Sequence, residues 1–434
     1  MVAETRTIRV EQLARVEGEG SLTLTLDGAK VTDAKLVIFE PPRLFEAMLQ
    51  GRACTEAPDL TARICGICPV AYQMSACHAV EDALGVTVDG ALADLRRLLY
   101  CGEWIESHVL HMVMLHAPDF LGVHDVAELA RLHPERVRGG LQVKKAGNAL
   151  VALLGGREIH PVNARVGGFW RVPRRAELDA LVPTLTAALA EAEALADWVA
   201  GFVFPEFSRD YELVSLRHPH DYPMNAGRVV STRGLDFAVS AYNQHLVEEH
   251  QPHSTALHAR VAGRGAYQCG PLARMVNNFD HLTPRAADTA RRLGVTPAER
   301  NPFRSILVRA VETVLALEEA LRIVAGYVPP ASPQVPLVMR AGVGHAATEA
   351  PRGVLYHRYE LDAEGAIVRA QIVPPTSQNQ RGIEEDLLAL GDMLVSLPLD
   401  EATRRAEHAV RNYDPCISCS THFLTLRIVD KADA

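Results

Sequence analysis

Aromatic residues make up only 6% of this 434-residue chain, and several features that would identify a protein at once are missing. No apolar run approaches the roughly 18 residues of a membrane-spanning helix. The opening Met1-Val2-Ala3-Glu4-Thr5-Arg6 lacks the apolar core of a secretory signal, so the expectation is a soluble chain that does not direct its own export. Positive charge is in deficit, with 44 Lys and Arg against 53 Asp and Glu for a net charge of −9. That balance argues against a sequence-independent nucleic-acid binder, which needs a basic surface to release counterions. Eight cysteines are too few for a disulfide scaffold of this length. No Gly-rich dinucleotide fingerprint follows a strand. No Ser/Gly linker, repeat or low-complexity tract marks a domain boundary, although length alone would favour two or three domains.

What is present reads as a mainly helical α+β protein. Ser21-Leu22-Thr23-Leu24-Thr25-Leu26 and Lys35-Leu36-Val37-Ile38-Phe39 alternate as strands do, which predicts a small N-terminal β layer. Helical periodicity then takes over in 91–117, 126–154 and 303–327, and in the Ala-rich segment carrying Leu178, Leu181, Leu185, Leu189 and Leu195. Alternation returns around 354–374, followed by two expected helices, Ile383 to Leu397 and Glu401 to Asn412. The expected architecture is a long-helix bundle with small N-terminal and C-terminal β layers.

Four of the eight cysteines form two C-x-x-C pairs near opposite ends of the chain. The first is Arg63-Ile64-Cys65-Gly66-Ile67-Cys68-Pro69, the second Asp414-Pro415-Cys416-Ile417-Ser418-Cys419-Ser420-Thr421-His422. A lone C-x-x-C fits a dithiol redox pair, half of a zinc site or an iron–sulfur half-site. Zinc modules usually close within tens of residues, and a dithiol pair needs no distant twin, so the spacing favours a soft-metal centre that both pairs share. Cys54, Cys77, Cys101 and Cys269 match no ligand spacing, and burial in the core is their expected use. Most of His108, His111, His116, His245, His250, His253 and His258 are expected to be satisfied core or interface residues, and a five-residue spacing does not make His111 and His116 a helical ligand pair.

These motifs resemble those of the large, catalytic subunit of the nickel-iron hydrogenases, and the resemblance runs along almost the whole chain. Arg15-Val16-Glu17-Gly18, Gly270-Pro271-Leu272-Ala273-Arg274 and Glu349-Ala350-Pro351-Arg352-Gly353 are similar to family segments, as are Gly156-Arg157, His160-Pro161 and Gly167-Gly168. The resemblance implies that residues 1–422 are one catalytic domain performing reversible heterolytic cleavage of dihydrogen. It implies a nickel held by Cys65, Cys68, Cys416 and Cys419, with Cys68 and Cys419 bridging to an iron that carries carbon monoxide and cyanide. Cys416 becomes the first proton acceptor and Glu17 the next station. Arg352 stands over the metals, with Pro351 and Asp414 completing its surroundings. A further metal, magnesium or iron, is implied at Glu46, the carbonyl of Ile372 and His422. Residues 423–434 are expected to be a C-terminal peptide removed by a maturation endopeptidase after nickel-insertion factors have acted.

Two substitutions refine the resemblance. Tyr72 replaces a histidine common in relatives, keeping a hydrogen-bond donor to a bridging sulfur. Ser107 replaces an aspartate of many membrane-bound members, so Arg352 is expected to be held less tightly. Both are similar to the NAD(P)-linked, often bidirectional enzymes and sulfhydrogenases, which implies a cytoplasmic heteromultimer reducing NAD or NADP. With no further cysteine cluster, electrons would leave through an iron–sulfur small subunit and a flavin- and NAD(P)-binding diaphorase. The alternatives are a membrane-bound or deazaflavin-linked large subunit, a non-catalytic zinc scaffold, and the metal-free quinone-site relative in respiratory complex I, which lacks the four cysteines.

Overall fold

The computed structural model describes residues 5–27, 30–40 and 44–421. His422 and the 423–434 peptide lie outside the described residues.

Apolar side chains three and four positions apart bring together four long helices, Gly90–Val109, Pro134–Gly155, Val182–Ala200 and Ser305–Gly326. Ser305–Gly326 is buried along most of its length and packs on both Gly90–Val109 and Val182–Ala200. Gly90–Val109 and Pro134–Gly155 meet where Gly102 faces Gly147. A Cβ on Gly147 would stand 2.6 Å from the Gly102 carbonyl oxygen and 2.9 Å from the Glu106 nitrogen, so any side chain there would force the helices apart.

The N-terminal residues form a three-stranded antiparallel sheet, Thr5–Val10, Gly20–Asp27 and Lys30–Ile38, in chain order. Its inward Leu22, Leu24 and Leu36 share an apolar cluster with Ile383, Leu387, Ala406 and Val410 of the C-terminal helices Pro375–Ala389 and Leu399–Arg411. Burying one face of this sheet therefore joins the two ends of the chain, which brings the second C-x-x-C pair back to the first. A second antiparallel meander, Gly342–Ala350, Gly353–Leu361 and Ile367–Val373, carries the helix Pro69–Leu84 on one face. Gly342 and Gly344 make this approach possible, because a Cβ on either would collide with the helix backbone at Ala83 or Ala79.

The expected α+β architecture is thus observed, with differences of detail. The helix expected over 126–154 is two, Val126–Leu132 and Pro134–Gly155: Pro134 opens a new helix and holds His133 out of helical geometry. Ile383 to Leu397 is likewise two helices, Pro375–Ala389 and Gly391–Ser396, parting where Gly391 packs on Val31. The 91–117 helix passes into a π-helical turn, Leu110–His116. Short strands between Val214 and Val261, too brief to alternate visibly, form two further small sheets. Among the described residues, no helix is long and apolar enough to cross a membrane.

Candidate metal centre

Both C-x-x-C pairs are placed by what lies just beside them. Cys65 follows a 3-10 turn, Ala62–Ile64, and its Sγ accepts backbone N–H bonds from Ile67 at 3.3 Å and Cys68 at 3.2 Å. Cys68 is the N-cap of Pro69–Leu84, whose free amides at Val70 and Ala71 donate to the buried Glu103 at 2.6 and 3.1 Å. On the other side, Asp414 adopts left-handed backbone (φ 51°) and turns the chain into Pro415-Cys416. The Cys416 amide donates to Thr376 Oγ1 at 3.0 Å, and Ile417 N–H to the Glu17 carbonyl at 2.9 Å.

The four sulfurs lie within 4.8 Å of one another. Cys65 and Cys416 approach to 3.4 Å, Cys68 and Cys419 to 3.9 Å, and Cys416 and Cys419 to 2.7 Å. All four cysteines are buried. Burial opposes ionisation, yet hydrogen bonds from Cys416, Cys419 and Cys68, and then the Arg352 charge, hold Cys65 well below the usual thiol range. Burial and the other sulfurs push Cys416 up; burial and Cys65 push Cys419 up against its hydrogen bonds with Cys416 and Cys68; and Cys68 is pushed up, against its hydrogen bond with Cys416, by its contacts with Cys419 and Cys65. One sulfur of the cluster is thus favoured as a thiolate, and a metal bound there would displace the protons of the other three.

Arg352 closes the roof. Its Nε donates to the Asp414 carbonyl at 2.8 Å, Nη2 to Asp414 Oδ1 at 3.1 Å and Nη1 to Ser107 Oγ at 3.4 Å. Burial disfavours its charge, but Asp414 and the cysteine sulfurs outweigh burial and keep it cationic. The segment before it is fixed by Arg274, which bonds Glu312 with two nitrogens, Glu349, and the carbonyls of Ala350 and Pro351. The Gly-Pro-Leu-Ala-Arg and Glu-Ala-Pro-Arg-Gly motifs therefore meet in a fully buried ion cluster, with the guanidinium 4.5 Å from the Trp104 ring centre. Gly270 and Gly353 permit the meeting: a Cβ on Gly270 would stand 2.8 Å from the Arg352 carbonyl, and one on Gly353 2.6 Å from Cys269 Sγ.

Glu17 reaches the cluster from the N-terminal side. Cys416 Sγ donates to Glu17 Oε2 at 3.0 Å, and Ser418 N–H donates to the same oxygen at 3.1 Å. Its neighbours explain the motif: Arg15 is anchored to Asp119 at 2.6 Å, and Gly18, at φ 88°, leaves no room for a Cβ beside Ile417, Ser418 and Glu40. Farther off, Glu46 Oε1 accepts from the Ile372 amide at 2.7 Å. Burial raises its pKa to about 7, and burial together with Glu46 raises Glu248 to about 8.

Some expectations need correcting. The Tyr72 hydroxyl is buried and makes no hydrogen bond to a sulfur; its ring packs against His357 instead. His111 and His116 share no ligand group among the described residues, as expected, but their rings do meet, with centres 4.9 Å apart, because the π turn places residues five apart on one face. Cys54, Cys77, Cys101 and Cys269 are buried and join no ligand cluster among the described residues. Sequence reasoning does not reach the roles of Glu103, Thr376, Arg274 and Glu248. Of these only Arg274 stands in a recognised motif, and its partners are remote in the chain.

Four buried thiols under a buried guanidinium, one of them bonded to a carboxylate, define a soft-metal redox centre equipped for proton transfer; a structural zinc knot needs neither added group. The chain belongs to the nickel-dependent hydrogenase family, whose sequence profile matches residues 43–136 and 260–422. It is 30% identical to sulfhydrogenase 1 subunit alpha of Pyrococcus furiosus over 96% of this chain and 98% of the relative. Sulfhydrogenase 2 subunit alpha of the same organism is 32% identical, over 96% of this chain and 100% of the relative. A crystal structure of an NAD+-reducing [NiFe]-hydrogenase in the H2-reduced state superposes with a TM-score of 0.85 at 29% identity, covering 97% of this chain and 100% of that one. The chain is thus the catalytic large subunit of a nickel-iron hydrogenase, an oxidoreductase acting on H2. The Ni-Fe centre of the family suits the convergent, buried thiol set.

Proposed function

We propose that this subunit belongs to a cytoplasmic, NAD(P)-linked hydrogenase. The likeness to an NAD+-reducing enzyme over nearly the whole chain carries that reading, with the sulfhydrogenase alpha subunits in support. Ser107 at the long contact to Arg352 fits the same subgroup better than a membrane-bound or deazaflavin-linked one. Residues 1–422 then act as one catalytic body, supported by the cluster that joins N-terminal sheet and C-terminal helices, and 423–434 is removed on maturation.

In this reading Cys65, Cys68, Cys416 and Cys419 would hold the nickel, Cys65 and Cys416 as terminal ligands, and Cys68 and Cys419 would serve the iron as well; the convergence of all four sulfurs supports it. A Ni-Fe pair bound there, with carbon monoxide and cyanide on iron, would supply a Lewis acid and an electron store for the cleavage of dihydrogen. The chain's own residues supply the rest. Cys416 Sγ takes the proton and passes it to Glu17 Oε2, already at hydrogen-bond distance. Arg352, fixed by Asp414 and backed by Pro351, holds a positive charge over the cluster and excludes water. Glu46, the Ile372 carbonyl and His422 hold magnesium or iron; the raised pKa values of Glu46 and of Glu248 beside it mark a place where a bound cation would favour the ionised carboxylates. Electrons leave through an iron–sulfur small subunit and a flavin-bearing diaphorase.

The test is the complex purified without oxygen and supplied with H2. It is expected to reduce NAD+ or NADP+. A preparation that reduces a low-potential viologen dye but neither nicotinamide would overturn the NAD(P) assignment while leaving the hydrogenase assignment intact.

A further inference from the structure

A second group of metal-ligating side chains lies away from the thiols. His253, in the loop after the strand Leu246–Glu249, His258, which begins the strand His258–Val261, and Glu384, on the helix Pro375–Ala389, bring one ligand atom each within 4.8 Å of one another. His253 Nε2 is 2.8 Å from Glu384 Oε1, and His258 Nδ1 is 3.8 Å from Glu384 Oε2. The two rings stand edge to face, 5.3 Å apart. Around a tetrahedral zinc-type ion with bonds near 2.0–2.1 Å, ligand atoms are separated by about 3.3 Å. The observed distances fall on either side of that value.

His258 is the second, independent observation. It is only 3% exposed, and Nδ1, the ring nitrogen facing Glu384, stands 3.8 Å from Oε2 and stops short of bonding it, while the other nitrogen, Nε2, has no hydrogen-bond partner that could explain the ring's placement. A buried imidazole aimed at a carboxylate it does not touch is poorly explained as an ion pair and well explained as a ligand. Glu384 is already held in a suitable orientation, because the Leu36 amide bonds Oε1 at 2.9 Å and leaves Oε2 directed toward His258. Arg381 is the nearby opposing charge, and it faces Glu249 and Glu385. His253 and Glu384 keep 19% and 13% of their side chains exposed, which leaves an open side for a water ligand.

We propose that His253, His258 and Glu384 form a three-ligand site for a divalent transition ion of the zinc type, separate from the Ni-Fe centre and from the Glu46 site. The ion clamps the 250–257 loop to the Pro375–Ala389 helix, whose Glu384 in turn accepts from the Leu36 amide of the N-terminal sheet. That loop already bonds the sheet through Thr255, whose hydroxyl donates to the Ile38 and Glu40 carbonyls, and Glu40 in turn accepts from Ser418 Oγ at 3.0 Å. The clamp is therefore linked through Thr255 and Glu40 to the Cys416–Cys419 turn.

The test uses the purified complex, freed of loosely held metal by a mild chelator and titrated with Co2+ as a spectroscopic stand-in for Zn2+. The expected result is an equivalent of Co2+ beyond the nickel and iron content, with visible bands of nitrogen- and oxygen-ligated cobalt, displaced by Zn2+. His258→Asn and Glu384→Gln should each lose that equivalent while keeping nickel, and His250→Ala should retain it. Absence of the extra equivalent in the unaltered protein, or its retention in Glu384→Gln, would overturn the proposal. Should His258→Asn fail to fold, the isosteric Glu384→Gln still decides.

Discussion

Replacing Glu17 by glutamine is expected to lower H2 oxidation by about 10²–10⁴-fold, the usual worth of a positioned proton-transfer group, with nickel and iron contents unchanged. The carboxyl stands 3.0 Å from Cys416 Sγ and is steadied by the Ser418 amide on the same oxygen. Glutamine fills the same volume and can accept both bonds through its carbonyl oxygen, so the local fold has no reason to change. What it cannot do is take up a proton and hand it on. Glu17→Asp retains the titrating group but draws it back by one methylene, and should fall between the two. The check is turnover measured beside metal content. A glutamine variant that works at half the normal rate or better would remove Glu17 from the proton route, whatever its contacts.

The second large effect concerns stability and reaches the centre indirectly. Arg274→Met is expected to destabilise the protein by about 3–5 kcal/mol, because it leaves carboxylates buried without their cation. Glu312 and Glu349 are fully buried, and both are bonded by Arg274. His108 at 3.0 Å and Tyr222 at 2.7 Å still face Glu312, but neither replaces a guanidinium that serves two acids and two carbonyls. Because those carbonyls belong to Ala350 and Pro351, the variant also loosens the backbone that aims Arg352. Chemical denaturation and nickel content together test this. Adding Glu312→Gln to the variant should recover part of the stability, since it removes one stranded charge. A single variant within about 1 kcal/mol of the unaltered protein, with full nickel, would show that the cluster does not hold the roof.

Much of the centre is legible in the sequence because thiol chemistry is sparse and spacing-dependent. Cys65, Cys68, Cys416 and Cys419 declare themselves as two matched pairs, and the apolar strand Leu22-Thr23-Leu24 opposite the C-terminal helices is what unites them. The long helices show in their periodicity for the same reason, each burying a continuous stripe. The strand Gly342–Ala350 is hidden because its start carries two glycines under a seated helix and both its faces are covered from Ala346 onward, so polar and apolar residues do not alternate. The π turn is hidden because five-residue spacing of His111 and His116 reads as opposite faces in an α-helix. Arg274 carries no local sign of its role: Glu312, Glu349 and Pro351 come to it only through the tertiary fold. The same is true of Glu384 with His253 and His258.

The central claim is that the four thiols hold a nickel-iron centre. Metal analysis combined with infrared spectroscopy on protein purified without oxygen tests it most directly. The account predicts nickel together with iron, and stretching bands of carbon monoxide and cyanide that shift when H2 is admitted and vanish in Cys65→Ala. A folded preparation that has lost the 423–434 peptide, from cells supplied with nickel, with no nickel and none of those bands, would contradict it.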